Sequence, residues 1–119
     1  QNTLNMVKLE DKEGVINGLW ERYVDGILVE KGTYIEGKKD GLWVFYAQNG
    51  YKQREQEFKQ GKPNGKWVEY FSANKKSAEG EYADGQKTGT WKNYDKKGNV
   101  ITETVFKNGK KIKEEIKKK

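Results

Sequence analysis

The chain has 119 residues, the length of one domain, and carries 24 Lys and Arg against 18 Asp and Glu, a formal net charge of +6. It contains no Cys and no His, which excludes disulfide frameworks, zinc fingers, thiol nucleophiles, iron–sulfur clusters and the usual general base near neutral pH. No apolar run approaches the roughly 18 residues that span a bilayer as a helix.

The charge is unevenly spread. Residues 107–119 hold seven Lys and two Glu, a net of +5, and the rest of the chain carries a net of only +1. Leu, Ile, Val and Phe account for 23 of 119 residues, but 15 side chains are aromatic. Rings bury more area each than Leu or Val, so they can replace a missing aliphatic core.

In chain order, residues 6–17 form a degenerate half-unit that keeps Gly14 ahead of Gly18 but has Asp11 where an aromatic is due. The first full repeat, 18–40, opens as Gly18-x-Trp20-x-x-Tyr23, turns at Asp25-Gly26 and runs through Glu30 to Tyr34 and Gly37. The second, 41–64, has Gly41, Trp43, Tyr46, a turn at Asn49-Gly50, then Glu55, Phe58 and Gly61. The third, 65–88, has Gly65, Trp67, Tyr70, Asn74-Lys75, Glu79, Tyr82 and Gly85. The fourth, 89–109, has Gly89, Trp91, Tyr94, Lys97-Gly98-Asn99, Glu103, Phe106 and Gly109. The Trp spacings are 23, 24 and 24, and twelve of the 15 aromatics fall on this lattice. Residues 110–119 read as a Lys-rich tail, a solvated end too short and polar to hold a helix.

Each half-repeat is rich in aromatic and β-branched residues and reads as a strand. Asp-Gly and Asn-Gly close tight hairpins because both positions accept positive φ. The connection between repeats, as in Gly37-Lys-Lys-Asp-Gly41, is expected to be longer. Short connections make neighbours antiparallel. The expected fold is all-β: one domain over 1–109, a repetitive antiparallel β-hairpin array forming an elongated twisted sheet. Four repeats give eight strands, or nine if the half-unit adds one. Trp and the Tyr three residues on fall on opposite faces of a regular strand, unless a bulge unites them. Gly32 and Gly80 leave room on one face for a neighbouring ring.

The unit Gly-x-Trp-x-x-Tyr, turn, Tyr-x-x-Gly-Lys-Lys-Asp-Gly, clearest at Tyr34 to Gly41, resembles the MORN repeat in its bacterial variant form. The resemblance runs from about Gly14 to Gly109. It implies an antiparallel hairpin array and a non-catalytic scaffold. Bacterial relatives are described as antitoxin-like, and eukaryotic arrays bind proteins or phospholipid headgroups.

The chemical inventory is thin. Gly32-Thr-Tyr-Ile-Glu-Gly37-Lys38-Lys39 lacks the final Ser or Thr and the following helix of a phosphate-binding loop. With only two Ser and no His, no nucleophile–base pair can be assembled from the usual residues. Glu55, Glu79 and Glu103 are expected to pair with Lys or Arg across strands. No catalytic, metal or cofactor residues are assigned, and the chain reads as not an enzyme. Nucleic acid is an unfavoured partner, because the aromatics serve the lattice and the body is near neutral.

Phe45, Tyr51 and Phe71 lie off the lattice and are the candidate partner-binding residues. The expected function is a scaffold for protein–protein interaction of antitoxin or immunity type. One alternative is a binder of anionic lipid or envelope polymer through Lys110, Lys111, Lys113, Lys117, Lys118 and Lys119. Another is a structural spacer in a larger assembly. Low Pro with many Lys, Asn and Glu points to a bacterial source. A first residue of Gln fits a removed export signal or a truncation, leaving the compartment open between exported and cytoplasmic.

Overall fold

The computed structural model describes residues 16–117. Nine strands follow in order: β1 (Gly18–Val24), β2 (Ile27–Ile35), β3 (Lys38–Tyr46), β4 (Lys52–Lys59), β5 (Lys62–Ser72), β6 (Lys75–Ala83), β7 (Gln86–Tyr94), β8 (Val100–Lys107) and β9 (Lys110–Ile116). They form one open sheet in which spatial order equals chain order, and each neighbouring pair is antiparallel. The described residues contain no helix. This is the all-β hairpin array that the periodicity predicts.

The ninth described strand is the C-terminal segment. Lys110–Ile116 pairs with β8 and continues the sheet instead of forming a solvated tail. The Asn108-Gly109 turn, with both residues at positive φ, returns it against β8. The half-unit 6–17 lies outside the described residues, apart from Ile16 and Asn17.

The connection between repeats is also tighter than expected. Ile35 pairs with Lys38, so Glu36-Gly37 is a two-residue turn and Lys38 to Gly41 already belong to β3. Both turn residues have positive φ, 52° and 78°, as in a type I′ turn. Asp25-Gly26, Gln60-Gly61, Asp84-Gly85 and Asn108-Gly109 take the same geometry.

Gly41 therefore serves a bulge, not a turn. Gly41-Leu42-Trp43 lies opposite the single residue Gly32, between the Lys31–Val44 and Thr33–Asp40 pairs. The same arrangement places Gly89-Thr90-Trp91 opposite Gly80. A second irregularity stands directly before each Tyr that follows a Trp by three residues: between Arg22 and Tyr23, Phe45 and Tyr46, Glu69 and Tyr70, and Asn93 and Tyr94. Bulges of this kind add local twist to the strands.

Consecutive repeats are stapled at the type I′ turns. The amides of Gly37, Gly61, Gly85 and Gly109 donate to the carbonyls of Ile16, Lys39, Pro63 and Lys87, at 2.7–3.0 Å. Beside them, Asn17 Oδ1 accepts from the Glu36 amide and Asn64 Oδ1 from the Asp84 amide, each at 2.8 Å. Asp40 Oδ1 holds the corresponding place toward Gln60 at 3.5 Å. Each turn tip is thus tied to the start of the preceding hairpin.

Candidate functional site

The two faces of the sheet carry different chemistry. On one, the Trp row packs edge-to-face with the second aromatic of each repeat. Trp43 meets Tyr34 at 5.1 Å and Phe58 at 6.4 Å, and Trp91 meets Tyr82 at 5.2 Å and Phe106 at 6.1 Å. Trp43 and Trp91 are buried because each indole lies on a glycine, Gly32 or Gly80, where an added Cβ would overlap the ring. Their indole nitrogens donate to the carbonyls of Thr33 and Glu81, at 3.1 and 3.2 Å.

The packing alternates with a period of two repeats. Gly32 and Gly80 occupy the position that Gln56 and Thr104 hold in the second and fourth repeats. Trp20 and Trp67 are correspondingly less buried than Trp43 and Trp91. Lys39 and Lys87, 48 residues apart, place their ammonium groups 4.8 and 4.7 Å from the Trp43 and Trp91 rings.

On the opposite face, Tyr70 donates to Glu55 at 2.7 Å and Tyr94 donates to Glu79. Lys52 and Lys76 complete these groups, bonding Glu55 at 3.2 Å and Glu79 at 3.0 Å. The cross-strand partner of Glu55 and Glu79 is thus a tyrosine and not the Lys or Arg expected. The lysine stands three residues earlier on the same strand, brought alongside by the bulge before each Tyr. Glu103 has Lys117 at 4.0 Å. Glu30, one place out of phase, turns to the Trp face and bonds Trp20 Nε1 at 3.1 Å and Arg22 Nε at 3.4 Å.

These pairings shift the ionisation of both members. Burial raises the Tyr70 hydroxyl to about 12, reinforced by the Glu55 charge. Tyr94 is raised to about 12 by burial and by Glu79. Burial pushes Glu55 upward, but the Tyr70 hydrogen bond and Lys52 outweigh it, so its carboxyl lies below the usual value. The Tyr94 hydrogen bond, opposed by burial and aided by Lys76, holds Glu79 low as well.

The three off-lattice rings do not form one patch. Phe45 is half-buried on the Trp face, 6.5 Å from Trp43, with the Arg54 guanidinium stacked 4.3 Å from its centroid. Phe71 lies under the Lys96 ammonium at 5.9 Å. Tyr51 closes the β3–β4 turn, its carbonyl accepting from Ala47. No ring contact joins the three among the described residues. Residue-by-residue reading missed Arg54, whose buried Nε has no hydrogen-bond partner, and the lysines over the rings. Lys39 and Lys87 each stand four residues before a Trp, a signal visible in the repeat.

The lysines of the candidate lipid surface are dispersed. Lys110, Lys111 and Lys113 alternate between the faces of β9, Lys111 bonds Glu114 at 2.8 Å, and Lys117 sits between Glu103 and Glu115. Lys118 and Lys119 lie outside the described residues. Among the described residues no cluster of His, Cys, Asp and Glu is placed to hold a metal ion. No family model matches the chain, and no curated protein matches its sequence.

Proposed function

We propose that this chain is a non-catalytic, MORN-like repeat scaffold that docks a protein partner, of antitoxin or immunity type, on its Trp face. The observation behind this reading is the Phe45–Arg54 stack. It sits on the aromatic face of an open sheet that no second layer covers among the described residues. Aromatic and arginine side chains held rigidly near the middle of a surface are the usual anchors of protein interfaces. The repeat itself does not require Phe45, since the corresponding residue two repeats on is Asn93.

The test is affinity capture from source cells by the wild-type chain and by Phe45→Ala and Arg54→Ala, followed by measured affinities for the captured protein. The reading expects one stoichiometric partner, bound about fivefold or more weakly by each folded variant. A partner bound equally well by all three would move the interface elsewhere. Capture of none would remove the reading.

A further inference from the structure

A second site lies at the opposite end of the strands from the type I′ turns that join the repeats. There the β5–β6 turn meets the β7–β8 loop. A cavity of about 380 Å³ between them is lined by Lys75, Lys76, Lys96 and Lys97, with Glu79, Tyr94 and Asp95. Four lysines and two carboxylates line it, a surplus of two positive charges. Both carboxylates are already engaged. Glu79 accepts from Tyr94 and Lys76, and Asp95 accepts from the amides of Lys97 and Asn99 at 2.9 Å. No ion pair among the described residues uses Lys75, Lys96 or Lys97. Lys75 Nζ reaches the Lys96 carbonyl at 3.4 Å, and Lys96 lies over Phe71.

The two-repeat period supplies an internal control. The same corner 48 residues earlier is built from Ile27, Leu28, Gln48 and Asn49, where the second half has Lys75, Lys76, Lys96 and Lys97. A hollow beside that earlier corner is lined by Arg22, Val24, Asp25, Ile27, Val29 and Gln48, of which only Ile27 and Gln48 correspond to lining residues of the lysine corner. The earlier corner thus places no lysine at any of the four positions. The hairpin geometry does not require the lysines.

We infer that the Lys75–Lys97 corner binds a phosphate dianion, as inorganic phosphate or as a terminal phosphomonoester. Such a group carries about −1.5 to −2 charge at neutral pH and three acceptor oxygens, which matches a surplus of two ammonium charges. A single carboxylate neutralises only half of that surplus. The loop is held ready by Asp95, which caps it from within, so ordering it on binding costs little. This site is independent of docking on the Trp face.

The test titrates inorganic phosphate into the full chain at low salt, read by calorimetry and by backbone amide shifts. Vesicles of phosphatidylcholine with and without phosphatidic acid form a second arm. The variant Lys75→Ile/Lys97→Asn installs the residues of the first-half corner, and Lys62→Gln removes a lysine at the other end of the strands. The expected result is saturable binding with shifts at Lys75 and 95–99. It weakens about tenfold in the double variant and is retained in Lys62→Gln. Phosphate binding without vesicle pelleting identifies a soluble ligand, and pelleting that depends on phosphatidic acid and is lost in the double variant identifies a lipid headgroup. Both support the site. It is overturned if neither probe binds, or if Lys62→Gln weakens binding as much as the double variant.

Discussion

The Tyr70 hydroxyl donates to the Glu55 carboxylate at 2.7 Å, tying the Tyr of the third repeat to the Glu of the second. Lys52 bonds the second carboxylate oxygen, so a buried Glu is satisfied from two sides. This pairing makes stability depend on pH at both ends. Glu55 has a lowered pKa in the folded state, so its contribution is present above the unfolded value and is lost as pH falls through the folded one. Tyr70 has a raised pKa, so its contribution is full below about 10 and is lost as pH rises toward about 12. Urea midpoints are expected to be level from about pH 5 to 9 and to fall on either side. Tyr70→Phe is expected to reduce the alkaline limb, with the equally raised Tyr94 accounting for part of what remains. An alkaline limb unchanged in Tyr70→Phe would assign it to other groups.

Gly80 lies under the Trp91 indole, and its own φ is not in the left-handed region, so alanine is acceptable to the backbone. The cost of Gly80→Ala is therefore steric. It is expected to destabilise by about 1–3 kcal/mol, the usual range for overpacking, and to quench or shift Trp fluorescence. Gly32→Ala is expected to do the same beneath Trp43. Thr104→Ala, at the equivalent position of the fourth repeat, is expected to cost less. Chemical denaturation of the three variants compares them directly.

Asn64 accepts a hydrogen bond from the Asp84 amide at the tip of the β6–β7 turn. Asn64→Ala leaves that amide to solvent and is expected to cost about 1 kcal/mol, with Asn64→Asp largely restoring stability. Amide hydrogen exchange at Asp84 and Gly85 should accelerate in the alanine variant and not at the Gln60-Gly61 turn. Acceleration at both turns would indicate global destabilisation instead of a local staple.

β9 is an exposed strand in which five of seven residues are charged: Lys110, Lys111, Lys113, Glu114 and Glu115. Charge on an edge discourages pairing with another chain. Lys113→Val/Glu115→Val, with Ile112 and Ile116 already exposed, is expected to produce concentration-dependent association. Light scattering coupled to size exclusion measures it. A variant that elutes unchanged at high concentration would show that the charges are not what keeps this edge unpaired.

Much of the fold is legible in the sequence because its signals are local. Asp25-Gly26 accepts positive φ at both positions and closes a hairpin without reference to the rest of the chain. The ring-rich segments around Trp43 and Trp67 are strands for equally local reasons. The site was less legible. Phe45 stands out from the lattice by eye, but its stacking partner Arg54 is nine residues away on the next strand. The lysine corner joins residues about 20 apart, and it is visible only when the unit is read as two repeats.

By itself the sequence determined the period, the strand character of each half-unit, the antiparallel chain-order arrangement and the need for small residues at Gly32 and Gly80. These follow from steric and turn preferences of adjacent residues. The tertiary structure decided that Gly41 forms a bulge and not a turn, that Glu55 meets Tyr70, and that Lys110–Ile116 extends the sheet as its edge strand β9. These depend on register, which accumulates over every turn and bulge before it. A shift of one residue moves a side chain to the other face, so no short stretch of sequence contains the answer.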